Sequence, residues 1–399
     1  MTLLTKNHQL DAGVLALTYE GQDAIDQKLF QVAERINPKR AFVFVSNVLG
    51  RHIPVKPSEH QHTAETLAQK VTQHLSDGPV LVMGYAETAV GFGAAVGRAL
   101  SHSVDNNVFY LPTTRHPVDG HDWLVFEEGH SHATDQQVMT PANDGFVSEL
   151  KASETKTLVL VDDESTTGNT FAGLALELKD NGLEFDKIVL VTLTDWSGGE
   201  AENTVAKAIS QDNVCSVSLF QGRWVWHQDP NSEQKVIPTT TDHASRPKWT
   251  APEAPQNLFQ APRLGTDFSQ ELSLSELEAA GLNIPQKGRV LVVGTGEHVW
   301  TPFLLAEKLE EKGLDSAFLA TTRSPILPGD VIKKKAVFAD HFGLGLPMYL
   351  HNVNPDEWDD IILMIETGLE GICPSLATFL PNAQVIDGDG NVYTMKDAQ

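Results

Sequence analysis

The stretch from Thr157 to Thr170 reads TLVLVDDESTTGNT, and the fold expected for the chain follows from it. Four consecutive apolar residues, Leu158 to Val161, predict a buried strand that leads directly into two carboxylates. After Thr170, apolar residues at helical spacing followed by Asn181-Gly182 predict a helix and its end. The stretch therefore predicts a strand, a polar loop and a helix, with the polar side chains at the end of the strand.

Hydroxyl groups and a glycine just before a helix suit a phosphate, because several backbone N–H groups and the positive end of the helix dipole point to one place. Five residues would hold that phosphate: Thr166, Thr167, Gly168, Asn169 and Thr170. Asp162 and Asp163 would repel a phosphate, but they suit a vicinal diol, whose hydroxyls donate strong hydrogen bonds to carboxylates. A phosphate beside a diol indicates a ribose 5-phosphate.

This residue order resembles the signature of type I phosphoribosyltransferases, in which a hydrophobic strand, two acidic residues and a short variable stretch precede Thr-Thr-Gly-x-Thr. The alternative is an incidental acidic loop in a doubly wound protein. We disfavour it because two adjacent aspartates repel each other unless something binds them. The resemblance implies an orotate-phosphoribosyltransferase-like α/β domain, with a parallel sheet and helices on both faces.

The resemblance also implies a substrate and a cofactor. The substrate would be 5-phosphoribosyl 1-diphosphate, whose ribose 5-phosphate unit passes to an unknown, nucleobase-like acceptor. Asp162 and Asp163 would hold the ribose hydroxyls, and Mg²⁺ bound at these two residues would bridge the diol and the diphosphate. Mg²⁺ is the expected cofactor because it prefers oxygen ligands.

A second strand end carries the residues expected to hold the diphosphate. Val80 to Met83 predicts a buried strand, and in type I phosphoribosyltransferases the loop that follows holds pyrophosphate. The resemblance assigns that role to Gly84, Tyr85, Ala86, Glu87 and Thr88. Glu87 fits poorly as a direct phosphate contact, and we expect it to reach a metal ion, an acceptor amine or a backbone group.

A third strand, predicted for residues 107–111, is followed by PTTRHP. Arg115 in this segment is the best candidate for a side chain that contacts the diphosphate, because its charge is permanent and its donors form a fork. No residue stands out as a general base. Glu164 and Glu87 are the carboxylates best placed by sequence, and either could equally be a solvated loop residue.

Two histidines, His130 and His132, lie in the polar segment before the signature strand, where the family carries a mobile lid or its supports. Their alternation permits a metal site, but we favour lid or substrate contacts. Three further predictions concern secondary structure: a helix over residues 23–36, a strand over 41–45 and a strand pair over 214–226.

Composition limits the classes of partner. The chain has 399 residues, and its 53 acidic against 29 basic residues give a formal charge of −24, which disfavours binding to nucleic acid and to anionic membranes. Its two cysteines, Cys215 and Cys373, provide no disulfide framework. We find neither a leader-like N-terminus nor a membrane-spanning run, and we therefore expect a cytoplasmic protein.

The length suits two domains. A stretch rich in Pro, Thr, Gln and Asn separates them, and we expect a first domain over residues 1–228, an extended connection over 229–265 and a second, smaller α/β domain over 266–399. The second domain partly repeats the first, because VLVVGTGEHVW aligns with VLVMGYAETAV so that Gly294 meets Gly84 and Glu297 meets Glu87. ATTRSP at 320–325 then aligns with PTTRHP at 112–117. Internal duplication or one ligand type handled twice would explain the match, and chance similarity of two strand-glycine-helix units is the alternative.

The block from Thr322 to Pro325 resembles the segment that gives the TRSP domain its name. That resemblance implies a protein in which a phosphoribosyltransferase-like domain precedes a TRSP domain, of the kind found in bacterial tellurium-resistance-type stress gene clusters and acting in nucleotide or nucleoside-like metabolism. Arg323 is its candidate substrate contact. The second domain could bind the acceptor or be purely structural.

Three functions remain open at this level. The favoured one is a phosphoribosyltransferase, and the others are a non-catalytic sensor of phosphoribosyl diphosphate or a nucleotide, and the reverse reaction of phosphorolysis or hydrolysis of a nucleotide. The family often pairs subunits, so a homodimer is a further expectation.

Overall fold

The computed structural model describes residues 3–20, 28–37, 39–127, 135–233, 235–237, 248–249 and 258–398. Its strands are β1 (Leu3–Leu10), β2 (Gly13–Glu20), β3 (Phe30–Glu34), β4 (Phe42–Ser46), β5 (Val80–Gly84), β6 (Val108–Tyr110), β7 (Thr113–Thr114), β8 (Asp122–Glu127), β9 (Asp135–Met139), β10 (Thr157–Ser165), β11 (Lys187–Asp195), β12 (Val214–Gln228), β13 (Arg289–Gly294), β14 (Asp315–Ala320), β15 (Lys335–Ala339), β16 (Pro347–His351), β17 (Asp360–Ile365), β18 (Gln384–Asp387) and β19 (Val392–Thr394). Its α-helices are α1 (Pro57–Val71), α2 (Val90–Ser101), α3 (Asp144–Ala152), α4 (Asn169–Asp180), α5 (Glu200–Ile209), α6 (Leu274–Ala279), α7 (Trp300–Glu311) and α8 (Pro374–Phe379). None of the helices in the described ranges has the length and apolar character that crossing a membrane would require.

The first sheet has the strand order β1-β2-β12-β11-β10-β5-β6. Strands β11, β10, β5 and β6 and the first half of β12 run parallel, as the alternation of strands and helices predicts. The central strands are apolar on both faces because helices cover both sides of the sheet. Helices α3, α4 and α5 cover one face, and α1 and α2 cover the other.

The strand pair predicted for residues 214–226 is wrong, because β12 is one strand of 15 residues. Its first half pairs with β11 in parallel, and its second half pairs with β2 in antiparallel orientation. Gly222 marks the change of partner without a turn. A Cβ at Gly222 would lie 2.9 Å from the Trp196 ring, so this glycine serves close packing.

The helix predicted over residues 23–36 is wrong from residue 30 onward, since residues 30–34 form β3, antiparallel to β4, and only residues 28 and 29 are helical in the described part. Phe30 makes edge-on contacts with Phe44, Trp196 and Phe220, at centroid distances of 5.2 to 5.5 Å. This aromatic cluster, assembled from distant parts of the chain, outweighs the local helical spacing. Residues 23–27 of the predicted helix lie outside the described ranges.

The second sheet has the strand order β14-β13-β17-β18-β19, and its first four strands are parallel. They occupy the same order as β6-β5-β10-β11 in the first sheet. Each half runs from a strand through a glycine turn and a helix to a neighbouring strand, and an antiparallel insertion follows before the next parallel strand. The predicted second α/β unit that partly repeats the first is therefore confirmed.

The two sheets share one hydrophobic core. Helices α1, α2 and α7 lie between the sheets, and a single cluster of buried residues includes Val82 and Val161 of the first sheet and Val292 and Ile362 of the second. The outer face of the second sheet is covered by α8 and the β15–β16 hairpin. The parallel strands of both halves are thus packed against the same layer of helices.

Candidate functional site

The register of the first sheet brings two predicted ligand loops together. Val161 of β10 is paired with Gly84 of β5, and the N–H of Tyr85 donates to the carbonyl of Val161 at 3.1 Å. Because both strands are parallel, the loops that follow them leave the same edge of the sheet. The aspartate pair and the glycine loop therefore lie side by side.

Strand β10 is longer than predicted. It continues through Ser165, with Asp162 and Glu164 paired to Thr192 and Thr194 of β11. Asp163 follows Asp162 in extended backbone, and its N–H donates to the Asp162 carboxylate at 2.9 Å. Burial, together with the neighbouring Glu164 carboxylate, raises the pKa of Asp163 to about 6. The two aspartates thus form a half-buried carboxylate pair at the sheet edge.

The predicted phosphate turn connects β10 to α4. Gly168 has φ +78° and caps the helix, which begins at Asn169. A Cβ at Gly168 would also lie 2.7 Å from Cα of Ala201, so both the backbone conformation and the contact with α5 require glycine. Thr167 and Asn169 are exposed, and Thr166 and Thr170 are half-buried. The N–H groups of the first helical turn have no partner within the helix and face this accessible turn.

The predicted diphosphate loop begins at Gly84 and is held by its neighbours. The N–H of Ala86 donates to the hydroxyl of Thr113 at 2.8 Å. Glu87 and Thr88 are half-buried and lead into α2. The side chain of Tyr85 packs edge-on against Phe171 at 5.3 Å, on the helix-covered face of the sheet. The side chain of Tyr85 is therefore packed away from the loop, its N–H donates to Val161, and its carbonyl accepts a hydrogen bond from the N–H of Ala89 at 2.9 Å.

Arg115 lies beside this loop. It follows β7, and its Nη2 donates to the carbonyl of Ala86 at 3.4 Å. Its half-buried guanidinium is therefore within reach of the space that the loop borders. The structure thus brings Arg115 and the Gly84 loop together, as the sequence predicts.

The two carboxylates considered as bases both lie in ion pairs. Arg40 contacts both oxygens of Glu164, at 2.7 and 2.9 Å, and its guanidinium lies 4.6 Å from the centre of the Phe42 ring. Glu87 lies 3.5 Å from Nη1 of Arg51 and 3.7 Å from Nε of Arg323. Sequence reasoning missed Arg40, which precedes β4 in the chain and meets Glu164 only through the tertiary fold.

Arg51 is 3% exposed and links the halves. It donates to the carbonyls of Gly296 and Thr321 in the second half, at 2.7 and 3.0 Å, and to the carbonyl of Glu87 at 2.5 Å. Arg51 therefore braces the diphosphate loop against the second half.

Arg323 enters the same region from the second half. Its N–H lies 3.4 Å from Oε1 of Glu87, and its Nη2 lies 3.3 Å from Nε2 of His116. Burial, followed by the charges of Arg263 and Arg323, lowers the pKa of His116 to about 3. His116 is therefore neutral at physiological pH and can accept a hydrogen bond from Arg323.

The structure also contains a buried ion cluster that the sequence did not predict. Arg263, which is 1% exposed, donates to both oxygens of Glu366 at 2.7 and 2.8 Å and lies 3.4 Å from Glu297. Burial alone would raise the pKa of Glu366, but Arg263 lowers it to about 2. Neither residue stands in a recognisable motif, and only the fold shows that their charges compensate each other.

The donor set at the strand edge suits a hard cation. Asp162 and Asp163 offer adjacent carboxylate oxygens, the ligand type that Mg²⁺ prefers, although no group of three or more metal-ligating side chains occurs among the described residues. The protein would thus supply part of the coordination shell, and substrate oxygens and water would supply the rest. His130 and His132 lie outside the described residues.

Two family models match parts of this chain. Residues 29–223 match the family model described as phosphoribosyl transferase, and residues 260–372 match that of the TRSP domain found C-terminal to it. No curated protein matches the chain. The family matches and the strand order confirm the predicted fold class.

Similar solved structures include three phosphoribosyltransferases. Adenine phosphoribosyltransferase from Trypanosoma brucei, in complex with AMP, pyrophosphate and ribose-5-phosphate, is 12% identical, with 51% of this chain and 83% of that chain covered and a TM-score of 0.36. The adenine enzyme from Thermoanaerobacter pseudethanolicus is 16% identical over 49% and 98% of the two chains, with a TM-score of 0.32. Orotate phosphoribosyltransferase from Aeropyrum pernix is 18% identical over 50% and 91%, with a TM-score of 0.30.

Proposed function

Because the chain joins a phosphoribosyl transferase family domain to a TRSP domain, we propose that it transfers ribose 5-phosphate from 5-phosphoribosyl 1-diphosphate to a nucleobase-like acceptor and releases pyrophosphate. The pairing of Val161 with Gly84 is the observation that supports this most strongly. It juxtaposes a site for a diol and a phosphate with a loop suited to a diphosphate.

Each part of the donor has a matching part of the site. The 5-phosphate would lie in the turn from Thr166 to Thr170, against the N–H groups at the start of α4. The ribose hydroxyls would donate to Asp162 and Asp163. The diphosphate would lie along the backbone from Gly84 to Thr88, with Arg115 and Arg323 as its cationic contacts.

In the reaction, the bond between the anomeric carbon and the diphosphate oxygen breaks, and its electron pair leaves with pyrophosphate. The acceptor nucleophile forms the new bond to that carbon and loses a proton. Positive charge develops on the sugar, and the carboxylates of Asp162 and Asp163 would stabilise it. Holding the donor at three points would supply the remaining rate enhancement through orientation.

A Mg²⁺ ion held by Asp162 and Asp163 would neutralise the charge of the departing diphosphate when it is bound. The protein's own contribution is to orient those two carboxylates. The raised pKa of Asp163 places its ionisation near pH 6, so metal and diol binding would strengthen as the pH rises through this value.

One observation favours a second candidate, a sensor that binds the donor without turnover. Glu164 and Glu87, the carboxylates considered as bases, both lie in ion pairs with arginines. If neither ion-paired glutamate serves as a base, the site would bind the donor without deprotonating the acceptor.

Calorimetry with 5-phosphoribosyl 1-diphosphate and Mg²⁺, followed by a pyrophosphate-release assay over a panel of nucleobases, tests the proposal. We expect binding, acceptor-dependent release, and about tenfold weaker binding in Asp163→Asn. Asp180→Asn is the matched control, because Asp180 is exposed at the far end of α4. Binding without release for any acceptor would support the sensor, and sugar-phosphate release from a nucleotide without added diphosphate would support the reverse reaction. Failure to bind 5-phosphoribosyl 1-diphosphate would exclude the transferase.

A further inference from the structure

The two halves of the chain contain the same loop with the same internal hydrogen bond. In the first half, the N–H of Ala86 donates to the hydroxyl of Thr113 at 2.8 Å. In the second half, the N–H of Gly296 donates to the hydroxyl of Thr321 at 3.0 Å. Each acceptor threonine precedes a Thr-Arg pair. The second half therefore retains the frame of the diphosphate loop.

The glutamate of each loop contacts the opposite half of the chain. Glu87 of the first loop approaches Arg323, whose N–H lies 3.4 Å from its Oε1. Glu297 of the second loop accepts hydrogen bonds from the N–H of Arg115 at 2.7 Å and from the hydroxyl of Thr114 at 2.5 Å. The exchange is reciprocal, but the contact made by Glu297 is the shorter.

Within the described residues 258–398, the second half has no open counterpart of the ribose site. Strand β17 occupies the position that β10 holds in the first sheet, and it is followed by Glu366 in place of the aspartate pair. Glu366 is 4% exposed and is neutralised by Arg263 through two hydrogen bonds. The Glu366 carboxylate, which would face a ligand there, is already paired with Arg263. The retained loop of the second half contacts the first half instead.

Glu297 is suited to hold a backbone segment still. It is 1% exposed, and Arg263 lies 3.4 Å from its Oε2, so its charge is compensated inside the protein. A hydrogen bond from a backbone N–H to a buried carboxylate is stronger than one between neutral groups. Its two oxygens fix Thr114 and Arg115 at consecutive positions.

We propose that Glu297 is a positioning residue of the transferase site: it holds the backbone of Arg115 so that the guanidinium points toward the diphosphate. This inference rests on the proposed function, since it assumes that Arg115 binds the diphosphate. In this proposal, the second half of the chain orients one binding segment of the first half.

The test measures three affinities in Glu297→Gln, which removes the charge of the acceptor, and in Glu297→Asp, which shortens the side chain and lengthens the contact. We expect the affinity for 5-phosphoribosyl 1-diphosphate and for pyrophosphate to fall about tenfold, because a charge-assisted hydrogen bond is lost or displaced. The affinity for ribose 5-phosphate, which needs only the β10 edge and the following turn, should change less than about twofold. Equal loss of all three affinities would show a merely structural role and overturn the inference.

A double-mutant cycle makes the assignment specific. Arg115→Ala should weaken diphosphate binding, and adding Glu297→Gln to it should cause no further loss, because Glu297 acts through Arg115. Additive losses would contradict the inference. Glu307→Gln is the matched control, because it removes another carboxylate that joins the halves, at 2.6 Å from Arg98, and does not touch the Thr114–Arg115 segment.

The outcomes separate the two proposals. If the wild-type protein binds neither 5-phosphoribosyl 1-diphosphate nor pyrophosphate, the proposed function fails and this inference fails with it. If the wild-type protein binds both and the Glu297 variants bind equally well, only the inference fails.

Discussion

Arg40 contacts Glu164 through two hydrogen bonds and thereby ties the β3–β4 hairpin to the end of β10, although the two residues are 124 positions apart. The contact places a cation beside the aspartate pair. It also holds the hairpin at the edge of the candidate site.

The Arg40–Glu164 pair should contribute modestly to stability. The two side chains are 20% and 21% exposed, so solvent screens their attraction in part, and we expect a coupling free energy of about 1 kcal/mol between Arg40→Ala and Glu164→Gln. Urea unfolding of the single and double variants measures it. The exposed Lys333–Asp330 pair should give about zero under the same conditions and serves as the control. A coupling no larger than that of the control would contradict the prediction.

Asp163 should make donor binding depend on pH. Burial and Glu164 raise its pKa to about 6, so the carboxylate that we propose to bind the diol or the metal forms mainly above that value. We expect the affinity for 5-phosphoribosyl 1-diphosphate to rise between pH 5 and 7, and Arg40→Ala to move this rise to higher pH because Arg40 lowers the pKa of Asp163. Calorimetry across the range tests it, and an affinity independent of pH would contradict it.

The raised pKa of Asp163 also makes the free energy of unfolding depend on pH. The folded state binds the proton of Asp163 more tightly than the unfolded chain, so between about pH 4 and 6 this residue's contribution to the free energy of unfolding falls as the pH rises. Asp163→Asn should remove that contribution. The free energy of unfolding of the variant, relative to that of the wild type, should therefore increase as the pH rises toward 7. Urea unfolding of both proteins measures this difference.

Buried histidines should destabilise the protein in acid. Burial lowers the pKa of five of them: His52, His60, His116, His298 and His351. Their folded pKa values lie below that of the unfolded chain, so the unfolded state binds more protons below about pH 6.5 and the free energy of unfolding falls as the pH drops. At pH 5 the four histidines whose pKa values lie at about 3 to 4, His60, His116, His298 and His351, should take up roughly three to four protons on unfolding. Urea unfolding at pH 7, 6 and 5 measures the slope, and a flat profile would contradict the prediction.

Gly168→Ala should be costly for two reasons. The left-handed backbone, φ +78°, costs about 1 kcal/mol for alanine, and the new Cβ would lie 2.7 Å from Cα of Ala201. Gly182→Ala is the matched control, since Gly182 has φ +83° at the other end of α4 and open space around it. We expect the Gly168 variant to be the less stable of the two and to lose binding of ribose 5-phosphate. Thermal unfolding and calorimetry compare them, and equal losses would show that the contact with α5 is unimportant.

The two halves should unfold together. Leu305 of α7 is fully buried in the core that both sheets share, and Leu305→Ala should cost about 2 to 5 kcal/mol. Hydrogen exchange followed by mass spectrometry should show the same loss of protection in β10 and β17, because the cluster joins the two strands through one layer of helices. Loss confined to β17 would instead indicate two independent folding units.

Much of the parallel core could be predicted from sequence because its signals are local. In β5, β10 and β11, the apolar run of each strand is close in sequence to the glycine that follows it. The match of Gly294 to Gly84 and of Glu297 to Glu87 could also be found by alignment. The structure adds that the repeated loops face each other.

The remaining features depend on contacts between distant residues. Residues 30–34 form a strand because of aromatic partners more than 160 positions away, such as Trp196. The Arg40–Glu164 and Arg263–Glu366 pairs follow no spacing that a single sequence reveals. The base and acceptor assignments stay predictions, because the chemistry of the acceptor leaves no recognised motif in the sequence.

The layer of three helices between the two sheets has one more consequence. A symmetric pair of identical chains must carry the same residue at both equivalent positions and must assemble at a rate that depends on concentration. Here the two related halves are covalently joined, so their association is independent of concentration and each half can differ from the other. The chain can therefore keep Asp162 and Asp163 in one half and Glu366 in the other, an asymmetry that identical subunits cannot encode.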